Sequence, residues 1–401
     1  MDLAAIIIVG ACPEEADSGR NPSPGIAGEV FAGIPIALLD LLGKSVVHHV
    51  VDRLRRSGVE AVTALTGEEA CEEAERCDVP SQLSCLPANQ LWRAAEEAFS
   101  AYASEGIDNV LLLRLGPYAE IDFDALVRFH SERRQNSTVV FDEAGGPLDA
   151  AIVHAARRSD ASFLIRNGLR ATRLPSEPYI MPGYVNHMET PRDLRRLAQD
   201  ALLMRCDIRP QGREVKPGVW VGEDARIHRT ARVLAPAFVG ARARLRAASV
   251  VTRCSVVEHH AEVDCGTVLE DTTVLPYTYV GAGLDASHAV AGFGRLVHLR
   301  RDTEVEIADA RLLGTVSVSA AWRTLKGAAS LAAYLPVQAV RGLAQAGHRS
   351  QPATVAQADA EIPPPRSRPS NLEPSSEPVS ASNQGAQFGS DFAVVRRYGN
   401  E

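Results

Sequence analysis

Asp122 and Asp124 stand two residues apart, a spacing at which two carboxylates can share a cation or move a proton. They also open an amphipathic run, Asp122 to Arg134, and at a strand-to-helix junction an aspartate caps free N–H groups and complements the helix dipole. Capping is the favoured reading of the pair. His259 and His260 bring imidazole, the general base of choice near neutral pH, but alternation along a strand would point them outward as ordinary surface residues. Arg53, Arg55, Arg56, Arg157 and Arg158 suit phosphate by charge, yet their positions fit solvated helix faces better. The seven cysteines are odd in number, widely spaced and never in a CxxC pair, so neither a disulfide framework nor a zinc cage is expected. Only Lys44, Lys216 and Lys326 are lysines, which excludes mechanisms needing several amines.

The chain has 401 residues, enough for two or three domains, and a net charge of −8 with 42 basic against 50 acidic residues. It has no broad basic surface, so phosphate-driven nucleic-acid binding is not expected. Its N-terminus carries Asp2 where a secretory peptide would be positive, and no stretch approaches the ~18 apolar residues of a membrane span. A cytoplasmic location is expected.

The elements that must position these groups follow two different periods. Residues 1–212 alternate short aliphatic runs with helix-length amphipathic segments, the α/β pattern. Ala4 to Val9 reads as the first strand. Val46, Val47, Val50, Val51 and Leu54 form one helical stripe that ends at Gly58. Val59 to Leu65 and Val110 to Leu115 read as further buried strands, and residues 90–104 and 122–134 as helices. The result is a layered sheet with helices on both faces.

From about residue 217 the period becomes six. Val221, Ile227, Val233, Val239, Leu245, Val251, Val257, Val263, Leu269 and Leu275 are aliphatic in strict phase, and a small residue follows four positions after each of the first nine, from Ala225 to Thr273. At ordinary composition ten aliphatics in phase is about a one in 10⁵ event, so the signal is not chance. Neither a 3.6 nor a 2.0 period accounts for it; one side of a triangular parallel β-coil does, with the aliphatic inside and the small residue at the corner. Residues 217–283 therefore predict a left-handed β-helix, which residues 284–316 finish after the phase is lost. Residues 319–345 are helix-like with Trp322, Leu325, Ala329 and Ala332 on one face. Packing on the β-helix is their favoured reading and contact with a membrane surface the other. From His348 the tail is Ser/Pro-rich and predicted to be disordered.

An α/β domain followed by hexapeptide repeats resembles the NDP-sugar pyrophosphorylases, which join sugar-1-phosphates to nucleoside triphosphates. Pro35-Ile-Ala-Leu-Leu-Asp-Leu-Leu-Gly-Lys-Ser-Val-Val-His-His-Val is similar to the family's P-K-P-L-L-P-V-x-G-K-P-L-L-E-H-V. Glu120-Ile-Asp-Phe-Asp-Ala-Leu-Val-Arg-Phe-His is similar to D-I-D-L-S-x-L-L-x-F-H, and Gly183-Tyr-Val-Asn-His-Met-Glu-Thr-Pro-Arg-Asp-Leu to G-Y-W-x-D-x-G-T-P-x-D-Y. The resemblance covers roughly residues 3–316. It implies a nucleotidyltransferase-like domain (Rossmann-like, GT-A-type) at 1–212, a left-handed β-helix at 213–316, a helical segment at 317–346 and the tail at 347–401.

The chemistry departs from the family. Its phosphate-wrapping loop G-x-G-T/S-R corresponds to Gly10-Ala-Cys-Pro-Glu-Glu-Ala-Asp-Ser-Gly-Arg, where Pro13 donates no N–H, Glu14, Glu15 and Asp17 repel phosphate, and Arg20 is left as a candidate for the family's arginine. The family lysine falls on Ile36. The two metal-binding aspartates fall on Gly116 and His187, and neither suits a hard, oxygen-preferring Mg²⁺. The resemblance therefore implies a catalytically impaired member that binds a sugar nucleotide near Gly10, Ala11 and Gly116. It would serve as a regulatory or scaffold subunit in polysaccharide or glycoconjugate synthesis, beside a catalytic homologue or as a homo-oligomer through the β-helix. A working sugar-1-phosphate nucleotidyltransferase of the mannose-1-phosphate guanylyltransferase type is the alternative, with Mg²⁺ and with Arg20 and Asp122 or Asp124 replacing lost groups. A hexapeptide acyltransferase using His259 or His260 is the third.

Overall fold

Seven aliphatic residues, Leu3–Val9 (β1), form an interior strand of a seven-stranded sheet, and all are buried. Ala5, Ile7 and Val9 pack on one face and Ile6 and Ile8 on the other, as a strand covered on both sides requires. The computed structural model describes residues 3–10, 30–68, 70, 77–78, 80, 83–169 and 177–316. Ala11, Arg20, the predicted surface helix at 319–345 and the predicted tail lie outside them. The fold is mixed α/β, mostly strands in several sheets with few helices among the described residues.

Around β1 stand Val62–Gly67 (β2), Leu83–Leu86 (β3), Asn109–Arg114 (β4), Ser137–Phe141 (β5), Pro147–His154 (β6) and Tyr179–Ile180 (β7), in the order β7-β5-β6-β4-β1-β2-β3. β6 runs antiparallel to β4 and β5; the other pairings are parallel. Val46–Arg56 (α1), Leu91–Ser104 (α2), Phe123–Glu132 (α3), Arg158–Arg166 (α4) and Pro191–Leu202 (α5) cover the sheet. α1, α3 and α5 share a core with the Ile7 face, while α2 and α4 cover the Ile6 face. Local sequence sets their ends. Ser45 caps α1 by accepting from the His48 N–H at 3.3 Å. Thr190 and Asp193 close a capping box on α5, with Pro191 at its first position.

From Val219 onward short parallel strands pair at intervals of 18 residues: Val219 with Ala237 and Ala237 with Ser255, Arg226 with Arg244, Arg232 with Val250. Three hexads thus make one coil, and Val239, Leu245, Val251, Val257, Val263 and Leu269 form its interior. The small residues fit the corners, all seven from Ala237 to Thr273 being 0–1% exposed. The phase then slips. Val257 pairs with Val274, Val263 with Val280 and Leu269 with Ala286, each 17 apart, so one residue is lost within the strand Val268–Val274. Val274 takes the interior place that strict periodicity assigned to Leu275, and Leu275 turns into the core shared with the sheet. The stack finishes on antiparallel strands at Arg295–His298, Thr303–Glu306 and Leu313–Thr315.

The two parts share one core: Phe238, Val256, Leu275, Val290, Val297 and Leu299 of the coils pack into the cluster that holds α1 and α5. The turn Leu42–Gly43 has φ of 56° and 100°, and a Cβ on Gly43 would meet Gln211 Cβ at 2.8 Å, so glycine is required where the turn meets the coil side. Two expectations are corrected. Cys85 is disulfide-bonded, although the cysteine spacing predicted no disulfide. His259 and His260 are not ordinary surface residues: both are half-buried, His259 against Asp40 of the segment before α1 and His260 against the Tyr277 ring. Among the described residues no helix is long and apolar enough to cross a membrane.

Candidate functional site

The order of the seven-stranded sheet reverses direction at β1, with β2 and β3 to one side and β4 to the other. In an open α/β sheet the crevice outside the carboxyl ends of strands at such a point is where ligands bind. Ile8 pairs with Arg114 in parallel register, and the Leu115 N–H donates to the Ile8 carbonyl at 2.9 Å, so Gly10 and Gly116 emerge side by side at that edge. At Gly10 a Cβ would come within 2.9 Å of Leu91 Cδ2, which leaves the backbone close to the start of α2.

The same edge collects residues from further along the chain. Tyr118–Ala119 pairs antiparallel with Val185–Asn186, Asn186 opposite Tyr118, which brings His187 to the segment that begins at Gly116. Asn186 is buried, donating to the Asp193 carbonyl at 3.0 Å and accepting from the Met188 N–H at 3.0 Å, and so fixes the strand that carries His187. His187 Nε2 lies 3.6 Å from Asp142 Oδ2, just past β5, and Asp142 also accepts from the Gly146 N–H at 2.6 Å. The two positions to which the resemblance assigns carboxylates therefore converge in space, occupied by a glycine and a half-exposed histidine. Among the described residues no three His, Cys, Asp or Glu side chains cluster to hold a metal ion.

Beneath this edge lies a pair the sequence reading missed. Arg114, the last residue of β4, bonds Asp149 across the β4/β6 ladder at 2.7 Å, with both side chains fully buried. Its Nη2 is occupied, while Nε and Nη1 are buried without a hydrogen-bond partner. A buried guanidinium with unused donors is costly in an apolar core, and Asp149 balances its charge. The available signal was an arginine closing the otherwise aliphatic run Val110 to Leu115.

The remaining candidates take structural places. Asp122 caps α3, its Oδ1 accepting from the Ala125 N–H at 3.0 Å, and Asp124 lies exposed in the first turn. Neither is drawn into a carboxylate pair. Ile36, at the family lysine's position, is buried in the core within a short 3-10 turn. Lys44 pairs with Asp52 at 2.7 Å. Arg53 bonds Asp207 and the Ile121 carbonyl, so it braces a loop and is not free for phosphate; Arg55, Arg56, Arg157 and Arg158 are exposed.

His259 and His260 belong to the junction of sheet and coils. His259 Nε2 is 2.6 Å from Asp40 Oδ2, and neither atom has another hydrogen-bond partner. Tyr277 stacks on His260 at 4.5 Å and meets His259 edge-on. Next to them Glu258 accepts from the Leu42 and Gly43 N–H groups at 2.6 and 2.9 Å. Full burial, with the Asp40 charge nearby, pushes the Glu258 carboxyl well above the usual range. These groups lock the two parts together. No family model matches the chain, and no curated protein matches its sequence.

Proposed function

We propose that the protein is a sugar-nucleotide-binding chain of the NDP-sugar pyrophosphorylase type, catalytically impaired, that acts as a regulatory or scaffold subunit in polysaccharide or glycoconjugate synthesis. In this reading residues 1–212 are a Rossmann-like, GT-A-type nucleotidyltransferase domain and residues 213–316 a left-handed β-helix. The observation that carries it is the meeting of Gly10, Gly116 and His187 at the switch-point edge of the sheet, from three segments far apart in sequence. Those positions are the ones the resemblance aligns with the family's phosphate loop and its two metal-binding aspartates, and the carboxylates that would hold Mg²⁺ on a triphosphate are replaced there.

Strand-end backbone at Gly10 and Gly116 lets a diphosphate approach closely. Without a lysine at Ile36 and without acidic ligands at Gly116 and His187, charge developing on an attacked α-phosphorus would go unneutralised. Binding without turnover follows. The partner in this reading is a catalytic homologue or a second copy joined through the coil stack.

A thermal-shift screen of the full chain against nucleoside triphosphates, sugar-1-phosphates and NDP-sugars, with and without Mg²⁺, tests it. A ligand at ~100 times its Kd stabilises the folded state by about 2.7 kcal/mol. The expected result is stabilisation by one NDP-sugar whether or not Mg²⁺ is present, with no pyrophosphate released from any triphosphate and sugar-1-phosphate. Mg²⁺-dependent pyrophosphate release would overturn the impaired reading, and silence across the panel would overturn sugar-nucleotide binding.

A further inference from the structure

Where α5 meets the coils, a cleft of about 630 Å³ is lined by Arg192, Arg195, Arg196, Arg205 and Arg300. Asp200 and Asp271 oppose them on its walls and Asp302 lies beside Arg192, a formal excess of two positive charges on a chain whose net charge is −8. Guanidinium groups crowded at that density repel one another unless a counter-charge enters.

The lining shows where compensation ends. Arg195 is 2% exposed and fully engaged, with Nη2 on the Cys254 carbonyl at 2.7 Å and on Asp271 Oδ1 at 2.8 Å. Asp271 is used up from within, because Gln199 also bonds its Oδ1 and His288 Nδ1 lies 2.5 Å from its Oδ2. This hydrogen-bonded group makes the floor. At the rim Arg205 and Arg196 share Asp200, at 3.3 and 3.9 Å, and Asp200 already accepts from the Tyr184 hydroxyl at 2.8 Å. Arg192 reaches the Leu299 carbonyl and lies 3.5 Å from Asp302. Arg300 is exposed and makes no ion pair among the described residues.

We propose that this cleft binds a phosphorylated small molecule carrying at least two negative charges, gripped chiefly by Arg196 and Arg300. Planar guanidinium forks fit phosphate oxygens two at a time, and the volume lies within the ~300–1,000 Å³ usual for small-molecule sites. Arg196 belongs to the helix of the sheet part, whereas Asp271, His288 and Arg300 belong to the coil part. A bound phosphate group therefore bridges the two and tightens their junction. The site lies at α5, apart from the strand-end edge around Gly10 and Gly116, and does not depend on the sugar-nucleotide reading.

Calorimetric titration of the full chain with inorganic pyrophosphate at low salt tests the proposal. Saturable binding is expected in the unaltered protein. Loss of one charged hydrogen-bonding side chain weakens such binding by about tenfold or more, so Arg196→Ala with Arg300→Ala is expected to lower affinity by at least ~100-fold. Both side chains are exposed, and the ligand-free melting temperature of the double variant should stay close to that of the parent. Arg196→Lys with Arg300→Lys keeps the charge but not the fork and should fall between the two. Absence of saturable pyrophosphate binding, or equal affinity in the parent and the alanine variant, would overturn the proposal. So would sedimentation with vesicles of anionic phospholipid that needs these arginines in a protein that ignores pyrophosphate, since the surface would then be a lipid contact.

Discussion

His49 lies on the buried face of α1, and its Nε2–H donates to the Leu41 carbonyl at 2.8 Å. Burial disfavours the charged ring and pulls its pKa from 6.5 down to about 4. Between those values the unfolded chain takes up a proton that the folded chain refuses, so the contribution is complete above pH 6.5 and is lost as pH falls toward 4. Moving from pH 7 to pH 5 should cost about 2 kcal/mol through this residue alone. His130, buried against Thr138, is shifted the same way. In urea titrations at both pH values, His49→Gln, which keeps a donor for Leu41, should lose about 2 kcal/mol less on acidification than the parent. An identical loss in both proteins would place the acid sensitivity elsewhere. Single residues were legible where their partners are local: the Asp122 cap answers to an N–H three residues on. Arg114 and Asp149 were not, because the partner lies 35 residues away on an antiparallel strand that no local pattern announces.

Elements were legible in proportion to how regularly they repeat. The hexads gave the interior positions because every side of a coil has the same length and the same inward residue. The slip at Val268–Val274 escaped notice because Val274 and Leu275 are both aliphatic, so either fits the phase by type and only strand register separates them. The surroundings of the histidine pair are hidden for a related reason. Alternation tells which way a coil residue points but not that another element covers it. Glu258 carries the consequence: its two oxygens accept from the Leu42 and Gly43 N–H groups of the turn. Glu258→Ala should cost about 3 kcal/mol, with one buried and one half-buried donor losing their acceptor, and Glu258→Gln roughly half, since one oxygen remains. Equal losses in the two variants, measured by urea denaturation, would show that packing and not the paired acceptor holds the turn. Because burial raises the Glu258 carboxyl, its own contribution fades as pH rises, opposite in sign to that of His49.

At the scale of the whole molecule, the change of period near residue 217 marks a change of architecture but not a break in the core. The domain boundary read at 212/213 falls beside the strand Arg213–Lys216, which pairs with Val219–Val221 at the start of the coils. Across it, Phe238, Val256, Leu275, Val290, Val297 and Leu299 complete the cluster that buries α1 and α5, and Arg195 of α5 is satisfied only by coil atoms. A fragment of residues 1–212 would expose this apolar face and leave Arg195 without Asp271, Thr273 and the Cys254 carbonyl. Water would resolvate the arginine, but the aliphatic surface has no such remedy. The fragment is expected to bind a hydrophobic dye and to unfold with a shallower urea slope than its length warrants, whereas residues 1–316 should melt in one transition by calorimetry. Two separate transitions in residues 1–316, or a cooperative, dye-silent fragment, would mean that the shared core is a contact between independently stable parts. In that event phosphate binding at the α5 cleft would have to act by moving those parts, and not by tightening a junction already formed.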